Sequence, residues 1–202
     1  AGTTLSFSFA AAEWELVAVG SETPNHPREG HALATLSDGT VVMAGGFDGV
    51  SVVASVFALA PGAASWSLVT ANGTFPSRRD AALVAMPDDS LLLLGGEDAG
   101  GGALADVWQS SDGGTTWAWL ADEPWPSRSR LAAVAMPTTG HVLLSGGVQH
   151  GVYLHDVWRS EDGGVTWAVA TASPSWSVRA GHAMLWVPSV AAVLVAGGLD
   201  RN

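Results

Sequence analysis

The chain has 202 residues, of which 48% are hydrophobic and only 13% are charged, and its formal net charge is −11. All eight basic residues are arginines, so the net charge repels phosphate backbones and anionic lipid surfaces and argues against nucleic acid or membrane partners. Cysteine is absent, which excludes disulfides and thiol chemistry.

The chain begins with short strands rather than helices. The first predicted elements are strands over residues 5–9 and 14–19 and a proline-bearing loop over 21–29. Two apolar runs, 31–36 and 41–44, then flank Asp38-Gly39, a pair that strongly favours a β-hairpin. Equivalent hairpins are predicted over residues 81–94, 131–144 and 182–196.

Further strands are predicted between the hairpins. They cover residues 52–59 and 65–69, then 105–109 and 115–120, then 155–159 and 165–170. No segment shows a convincing helical period. Each unit is therefore expected to be a four-stranded antiparallel sheet of about 50 residues.

Three markers recur with the same period along the chain. They are the glycine pairs that begin at Gly45, Gly95, Gly146 and Gly197, the tryptophans Trp14, Trp66, Trp117 and Trp167, and the arginines Arg28, Arg78, Arg128 and Arg179. Successive copies are separated by 50 to 52 residues. Four copies occupy nearly the whole chain, so we expect a single domain over 1–202.

With the glycine pair, the distal tryptophan and this period, the chain resembles kelch repeats, which build β-propeller blades. The segments 110–117 and 160–167 also match the Ser-x-Asp-x-Gly-x-Thr-Trp pattern of Asp-box (BNR, sialidase-type) turns. The resemblance implies an all-β propeller of four four-stranded antiparallel blades. The blade segments are about 21–70, 71–120, 121–170, and 171–202 together with 1–20.

The fourth blade is expected to be shared between the chain ends, because the C-terminus supplies two inner strands and the N-terminus two outer ones. Pairing them would protect strand edges that otherwise template aggregation. Half of an eight-bladed assembly and a fragment of a longer propeller remain alternatives. The nearly uncharged run 179–200 approaches membrane length. Because it contains Pro188 and aligns with a predicted hairpin, we interpret it as strand, turn and strand.

Arginine and acidic residues lie symmetrically about the hairpin turns and are expected to meet at one mouth of the ring. The candidate binding residues are Arg28 with Asp48, Arg78 with Asp98, Arg128 with Gln149, Arg179 with Asp200, and the loop tryptophans Trp125 and Trp176. Structural ion pairs and loop-fixing hydrogen bonds are the favoured interpretation. The alternative is a rim that binds an anionic or polyhydroxyl ligand through the planar arginine fork.

Other polar residues are expected to be structural. Asp112 and Asp162 fit turn-stabilising roles rather than catalysis or calcium binding. The histidines, among them His26, His31 and His182, do not form a metal-ligand set. Phe75, like the loop tryptophans, precedes one of the periodic arginines and could stack on a sugar, although packing over the blade edge is the favoured interpretation.

Short loops favour a non-catalytic module for protein interaction or assembly, with a protein partner and no cofactor. A lectin-like carbohydrate or anion binder at the arginine-lined mouth is the alternative. A sialidase-like glycoside hydrolase is disfavoured, because the resemblance to sialidases does not include their arginine triad, Tyr–Glu pair or Phe/Tyr-Arg-Ile-Pro signature. The compartment is left open, a secreted or lumenal location after removal of a targeting segment being one alternative.

Overall fold

The computed structural model describes residues 3–8, 13–19, 28–122 and 125–200. This part of the chain is all-β apart from one short 3-10 helix, Pro188–Val190. The strands in chain order are β1 Thr3–Ser8, β2 Glu13–Val19, β3 Ala32–Thr35, β4 Val41–Ala44, β5 Val56–Leu59, β6 Ser67–Thr70, β7 Arg78–Arg79, β8 Ala82–Ala85, β9 Leu91–Asp98, β10 Ala103–Ser110, β11 Ala118–Ala121, β12 Ala132–Ala135, β13 Val142–Ser145, β14 Val148–Gln149, β15 Val152–Tyr153, β16 Val157–Ser160, β17 Ala168–Thr171, β18 Ala180–Val187 and β19 Ala192–Leu199.

These strands form several antiparallel sheets that follow the sequence repeat. Sheet I has the order β3-β4-β5-β6, and sheet III has the order β12-β13-β16-β17. Sheet II has the order β11-β10-β9, with both β8 and the short β7 paired to β9. Sheet IV is the hairpin β18-β19, while β1-β2 and β14-β15 form two-stranded sheets. The predicted antiparallel units are confirmed in this form.

The four hairpins lie where the sequence predicts them, but several other strands are shorter or displaced. The strand predicted over 52–59 starts only at Val56, and Val52 makes an isolated bridge to Phe47. The strands predicted from residues 115 and 165 start at Ala118 and Ala168. The reason is that the residues before them belong to side-chain-bonded turns, described below. The short pairs at β7 and β14-β15 were not predicted.

Sheet II lies between two hydrophobic cores. Leu91 and Leu93 of β9 face the core shared with sheet I, whereas Leu92 and Leu94 face the core shared with sheet III. All four side chains are fully buried. A strand buried on both faces needs an unbroken apolar run, since alternate residues point to opposite faces. The run of four leucines satisfies this requirement.

Sheet IV is the segment with the membrane-length apolar run. It forms two paired strands joined by the turn at Pro188–Val190, which confirms the strand–turn–strand interpretation. Within the described residues, no helix is long and apolar enough to span a membrane. Strands β1 and β2 pair antiparallel as predicted. Their pairing with β19, which would complete a fourth blade, stays a prediction.

Candidate functional site

The periodic arginines join neighbouring sheets through their backbone. The second glycine of each pair donates its N–H to the arginine carbonyl of the next copy: Gly46 to Arg78 at 2.7 Å, Gly96 to Arg128 at 2.9 Å and Gly147 to Arg179 at 2.9 Å. The first glycine permits this approach, since a Cβ at Gly45 would lie 2.5 Å from the Arg78 carbonyl oxygen. The two markers therefore share a period because they form one joint.

The arginine side chains complete this joint from inside the sheets. Arg78 donates to both carboxylate oxygens of Asp106 at 2.7 and 2.8 Å, and its Nη1 also reaches the Gly95 carbonyl. Arg128 makes the same bidentate pair with Asp156 at 2.7 and 2.9 Å. Burial raises the pKa of Asp106, but the hydrogen bonds and charge of Arg78 outweigh it and hold the pKa below its usual range.

The predicted Arg78–Asp98 side-chain pair is wrong, although the two residues are register partners in β7 and β9. Arg78 and Arg128 are fully buried and turn to the third strand of their own sheets, so neither presents its guanidinium at a mouth. The predicted partners have other contacts. Asp98 accepts from Gly100 and Gly102 in its own loop, and the Gln149 amide donates to Ser127.

The outer copies depart from this pattern. Arg28 donates to the Gly45 carbonyl and to Ser55, while Asp48 acts on it through charge and accepts hydrogen bonds from the backbone of its own loop. Arg179 donates to the Gly197 carbonyl and to Ser177. Within the described residues, no hydrogen bond or ion pair joins Arg179 to Asp200.

The loop aromatics pack between sheets instead of standing in solvent. Phe75 is 2% exposed and makes an edge contact with Trp117, their ring centroids 5.2 Å apart. Trp125 is 3% exposed and contacts Trp167 in the same way at 4.5 Å. Trp125 is therefore buried, not exposed as its loop position suggested, which fits the favoured packing interpretation; a role in ligand binding stays a prediction. Trp176 is half-buried, and its carbonyl contacts the His155 ring.

The Ser110–Trp117 turn is held by side chains. Asp112 accepts from the Thr116 N–H at 2.9 Å and from its hydroxyl at 2.6 Å, and Ser110 Oγ accepts from the Gly114 N–H. Ser160–Trp167 repeats these bonds. Each turn also packs on the preceding sheet, since a Cβ at Gly114 would lie 2.8 Å from Val56 of sheet I. These contacts support the structural role expected of Asp112 and Asp162.

A cavity of about 610 Å³ opens where the innermost strands begin, and we call it the mouth cavity. Strands β3, β8, β12 and β18 lie side by side in this order. A chain of backbone hydrogen bonds links the residues before them: Asp80 N–H to the Gly30 carbonyl, Arg130 N–H to Asp80 and Gly181 N–H to Arg130, at 2.7 to 2.8 Å. All four residues have positive φ, between 55° and 66°.

The side chains around the mouth cavity differ from copy to copy. Arg130 is 48% exposed and reaches Asp80 through a single Nε contact at 3.3 Å. Arg79 donates to Glu97, which raises the pKa of its guanidinium against the opposing effect of burial. Glu29 also lines the cavity. The cavity therefore presents both signs of charge.

Sequence reasoning missed Arg79, Asp80 and Arg130. It selected residues that recur in every copy, and these proved to hold the sheets together. The mouth residues lie one or two positions after the periodic arginines, and at the second of these positions the four copies carry Gly30, Asp80, Arg130 and Gly181 in turn. Variation between copies at a fixed position was the available signal.

His182 also lines the mouth cavity but is buried within it. Its Nε2 lies 2.9 Å from the Ser145 hydroxyl, and its buried Nδ1 has no partner among the described residues. Burial, with a smaller contribution from the Arg179 charge, lowers its pKa to about 4. In the described part of the chain, no group of three or more His, Asp or Glu side chains could hold a metal ion.

Successive antiparallel sheets, joined by periodic glycine pairs and arginines around a common mouth, define a β-propeller-type repeat protein of the kelch class. Residues 2–199 match the KLHDC2/KLHL20/DRC7 Kelch-repeats domain, and the chain belongs to this kelch-repeat family. Kelch-repeat domains are typically protein-interaction modules and generally non-catalytic. A comparison with curated proteins found no match. The Asp-box likeness stays a resemblance of the turn sequence.

Proposed function

We propose that the chain is a non-catalytic interaction domain that binds a segment of a protein partner in the mouth cavity. The observation that carries this proposal is the cavity itself. Its walls come from all four copies, and its charged residues Glu29, Arg79, Asp80 and Arg130 differ at equivalent positions. Loops carried by a rigid scaffold are where such folds place recognition. A rim of both charge signs favours a partner that offers complementary charges.

Panning a random-peptide display library against the purified chain tests this proposal. Sequences enriched by the natural protein should be lost with Arg130→Ala, because that side chain is half-exposed beside the cavity. Arg159→Ala is the matched control, since Arg159 is 49% exposed and its ion pair with Glu161 lies in sheet III outside the cavity. Equal loss in both variants, or enrichment that neither substitution changes, would contradict a binding site at the mouth.

The same proposal includes a ring of four blades. The support is that β18 packs beside β12, as the inner strands of the other sheets pack on one another, and that β1-β2 supplies a further antiparallel pair. Light scattering on a sizing column measures the mass. A compact monomer near 20.6 kDa is the expected result, whereas a stable dimer would point to an assembly of eight blades.

The lectin-like alternative has less support. Trp125 is buried in the core and does not form an exposed aromatic platform. Arg78 and Arg128 are engaged in buried ion pairs and do not contribute to an arginine rim. Arg179 and the half-buried Trp176 remain as candidates for such a surface. A glycan array would separate this alternative from peptide binding, because a lectin should retain sugars without enriching any peptide.

A further inference from the structure

Sheet I lacks the buried ion pair that sheets II and III contain. In those sheets an Asp-Val-Trp segment lies within or directly before the third strand, and its aspartate binds the periodic arginine through two parallel hydrogen bonds. The equivalent segment of sheet I is Ser55-Val56-Phe57. Arg28 makes the equivalent carbonyl contact, to Gly45 at 2.8 Å, and reaches the Ser55 hydroxyl at 3.0 Å. A neutral hydroxyl therefore occupies the position of a carboxylate.

This replacement leaves the guanidinium under-used. Both hydrogen bonds that Arg28 makes to described residues come from Nη1, although the group carries five N–H donors. The Phe57 ring lies 5.1 Å from its Cζ and covers one face. Asp48 supplies charge nearby, but its Oδ1 already accepts from Val50 and Ser51. Nη2, which binds aspartate in the other sheets, makes no hydrogen bond to the described residues.

The space beside Arg28 is large enough for a ligand. Arg28, Asp48 and Ser55 line a cavity of about 580 Å³, together with the polar side chains Asn72 and Ser77. None of its lining residues belongs to the mouth cavity. Arginine is suited to this role because its planar fork matches a carboxylate and remains charged in every accessible pH range.

We propose that Arg28 and Ser55 form a binding site for a carboxylate group, which takes the place that Asp106 and Asp156 occupy in the neighbouring sheets. The carboxylate belongs either to a small organic acid or to an acidic side chain of a polypeptide. Ser55 and Asn72 provide hydroxyl and amide donors around it. Sheets II and III do not offer this site, since Asp106 and Asp156 fill the same position there.

Acetate is the probe for the first test, with thermal and urea unfolding followed by tryptophan fluorescence. At constant ionic strength, replacing chloride with acetate at ten times its Kd should raise the ratio of folded to unfolded protein about elevenfold. Ser55→Asp should stabilise the chain without acetate and abolish the acetate response. Ser55→Ala should keep a weaker response, since Arg28 still lacks a hydrogen-bonded carboxylate while the Ser55 donor is lost. An equal acetate response in the natural chain and Ser55→Asp would overturn the proposal.

The reciprocal variant tests the same idea in another sheet. Asp106→Ser should give sheet II an acetate response that the natural sheet does not have, because Arg78 then lacks its carboxylate. Ser55→Asp combined with Asp106→Ser should move the response from one sheet to the other. If Asp106→Ser does not fold, Ser55→Asp alone is sufficient: loss of its acetate response supports the site in sheet I, and an unchanged response overturns it.

Competition distinguishes the two sources of the carboxylate. A short peptide with a single aspartate, compared with its asparagine counterpart, is titrated by calorimetry with and without acetate. Aspartate-dependent binding that acetate displaces assigns the site to a polypeptide, whereas binding of acetate alone assigns it to a small acid. If neither acetate nor the aspartate peptide binds, the proposed site is overturned. Arg130→Ala should leave acetate binding unchanged, so failure of the mouth proposal and failure of this one are separable.

Discussion

Sheets I and II share one frame and complete it with different chemistry. Both have the glycine pair, the periodic arginine and three ladders between four main strands. Sheet II adds the Arg78–Asp106 pair and the side-chain-bonded turn that ends at Trp117. Sheet I has Ser55 in place of the aspartate and a turn at Ala60–Ala63 held by a backbone hydrogen bond. The comparison shows that the frame rests on glycine and arginine, while the carboxylates can be exchanged for neutral groups.

Removing the aspartate should give the largest difference in unfolding free energy between the two sheets. Asp106→Ala leaves the fully buried Arg78 charge without its partner, which costs about 3–5 kcal/mol. Ser55→Ala removes one neutral acceptor and should cost only about 1 kcal/mol. Urea unfolding followed by tryptophan fluorescence measures both values. Similar costs in the two sheets would mean that the ion pair is not what distinguishes them.

Substituting the first glycine of a pair should also lower the stability of the chain, although no charge is involved. Gly45→Ala places a methyl group against the Arg78 carbonyl, whereas Gly49→Ala, also at positive φ, meets open space. Backbone strain costs each variant about 1–2 kcal/mol. Gly45→Ala should lose about 1 kcal/mol more through the Gly46–Arg78 hydrogen bond. The same unfolding experiment suffices, and equal losses would argue against the joint.

The turn of sheet II provides a smaller effect with a pH signature. Asp112→Ala removes the hydrogen bonds to Thr116 and should cost about 1–2 kcal/mol at neutral pH. The Thr116 hydroxyl and N–H lower the pKa of Asp112 below its ordinary 3.8. Because the folded-state pKa is lowered, this stabilisation is present above pH 3.8 and lost as the pH falls through the folded value. The natural and variant unfolding curves should therefore converge in acid, and a constant gap would exclude an ionised Asp112.

His182 of sheet IV should have the smallest effect at neutral pH. Its pKa is lowered from 6.5 to about 4, so the unfolded chain binds a proton that the folded chain does not. Stability should then fall as the pH drops from 6.5 towards 4. His182→Gln should flatten this part of the pH profile, and His141→Gln, directly before the second strand of the sheet III hairpin, is the paired control. NMR titration of the His182 ring checks the pKa directly.

The fold was accessible from the sequence because its determinants are local and repeated. Alternating apolar residues, Asp38-Gly39 and the glycine pairs predicted the hairpins and the antiparallel units. The strand starts at Ala118 and Ala168 were missed, since a turn closed by side chains looks extended in sequence. The start at Val56 was missed because the residues before it bond through their backbone to the glycine pair.

The candidate site was less accessible. Symmetry about a turn correctly placed Arg78 opposite Asp98 along the backbone, but it could not show which carboxylate the side chain reaches. Asp106 lies 28 residues from Arg78, and its role depends on the pairing of the third strand. The mouth residues Asp80 and Arg130 do not repeat, so a search for recurring residues passes over them.

The backbone chain through Gly30, Asp80, Arg130 and Gly181 has a consequence for how such a protein can diversify. Peptide groups carry the link between neighbouring units, so no particular side chain is needed to make it, although the positive φ at these positions restricts the choice of residue. A duplicated unit can then keep its backbone hydrogen bond to the previous unit while its exposed residue changes. The surface around the mouth can thus acquire new specificities one copy at a time, with each substitution confined to a side chain that does not make the link between units.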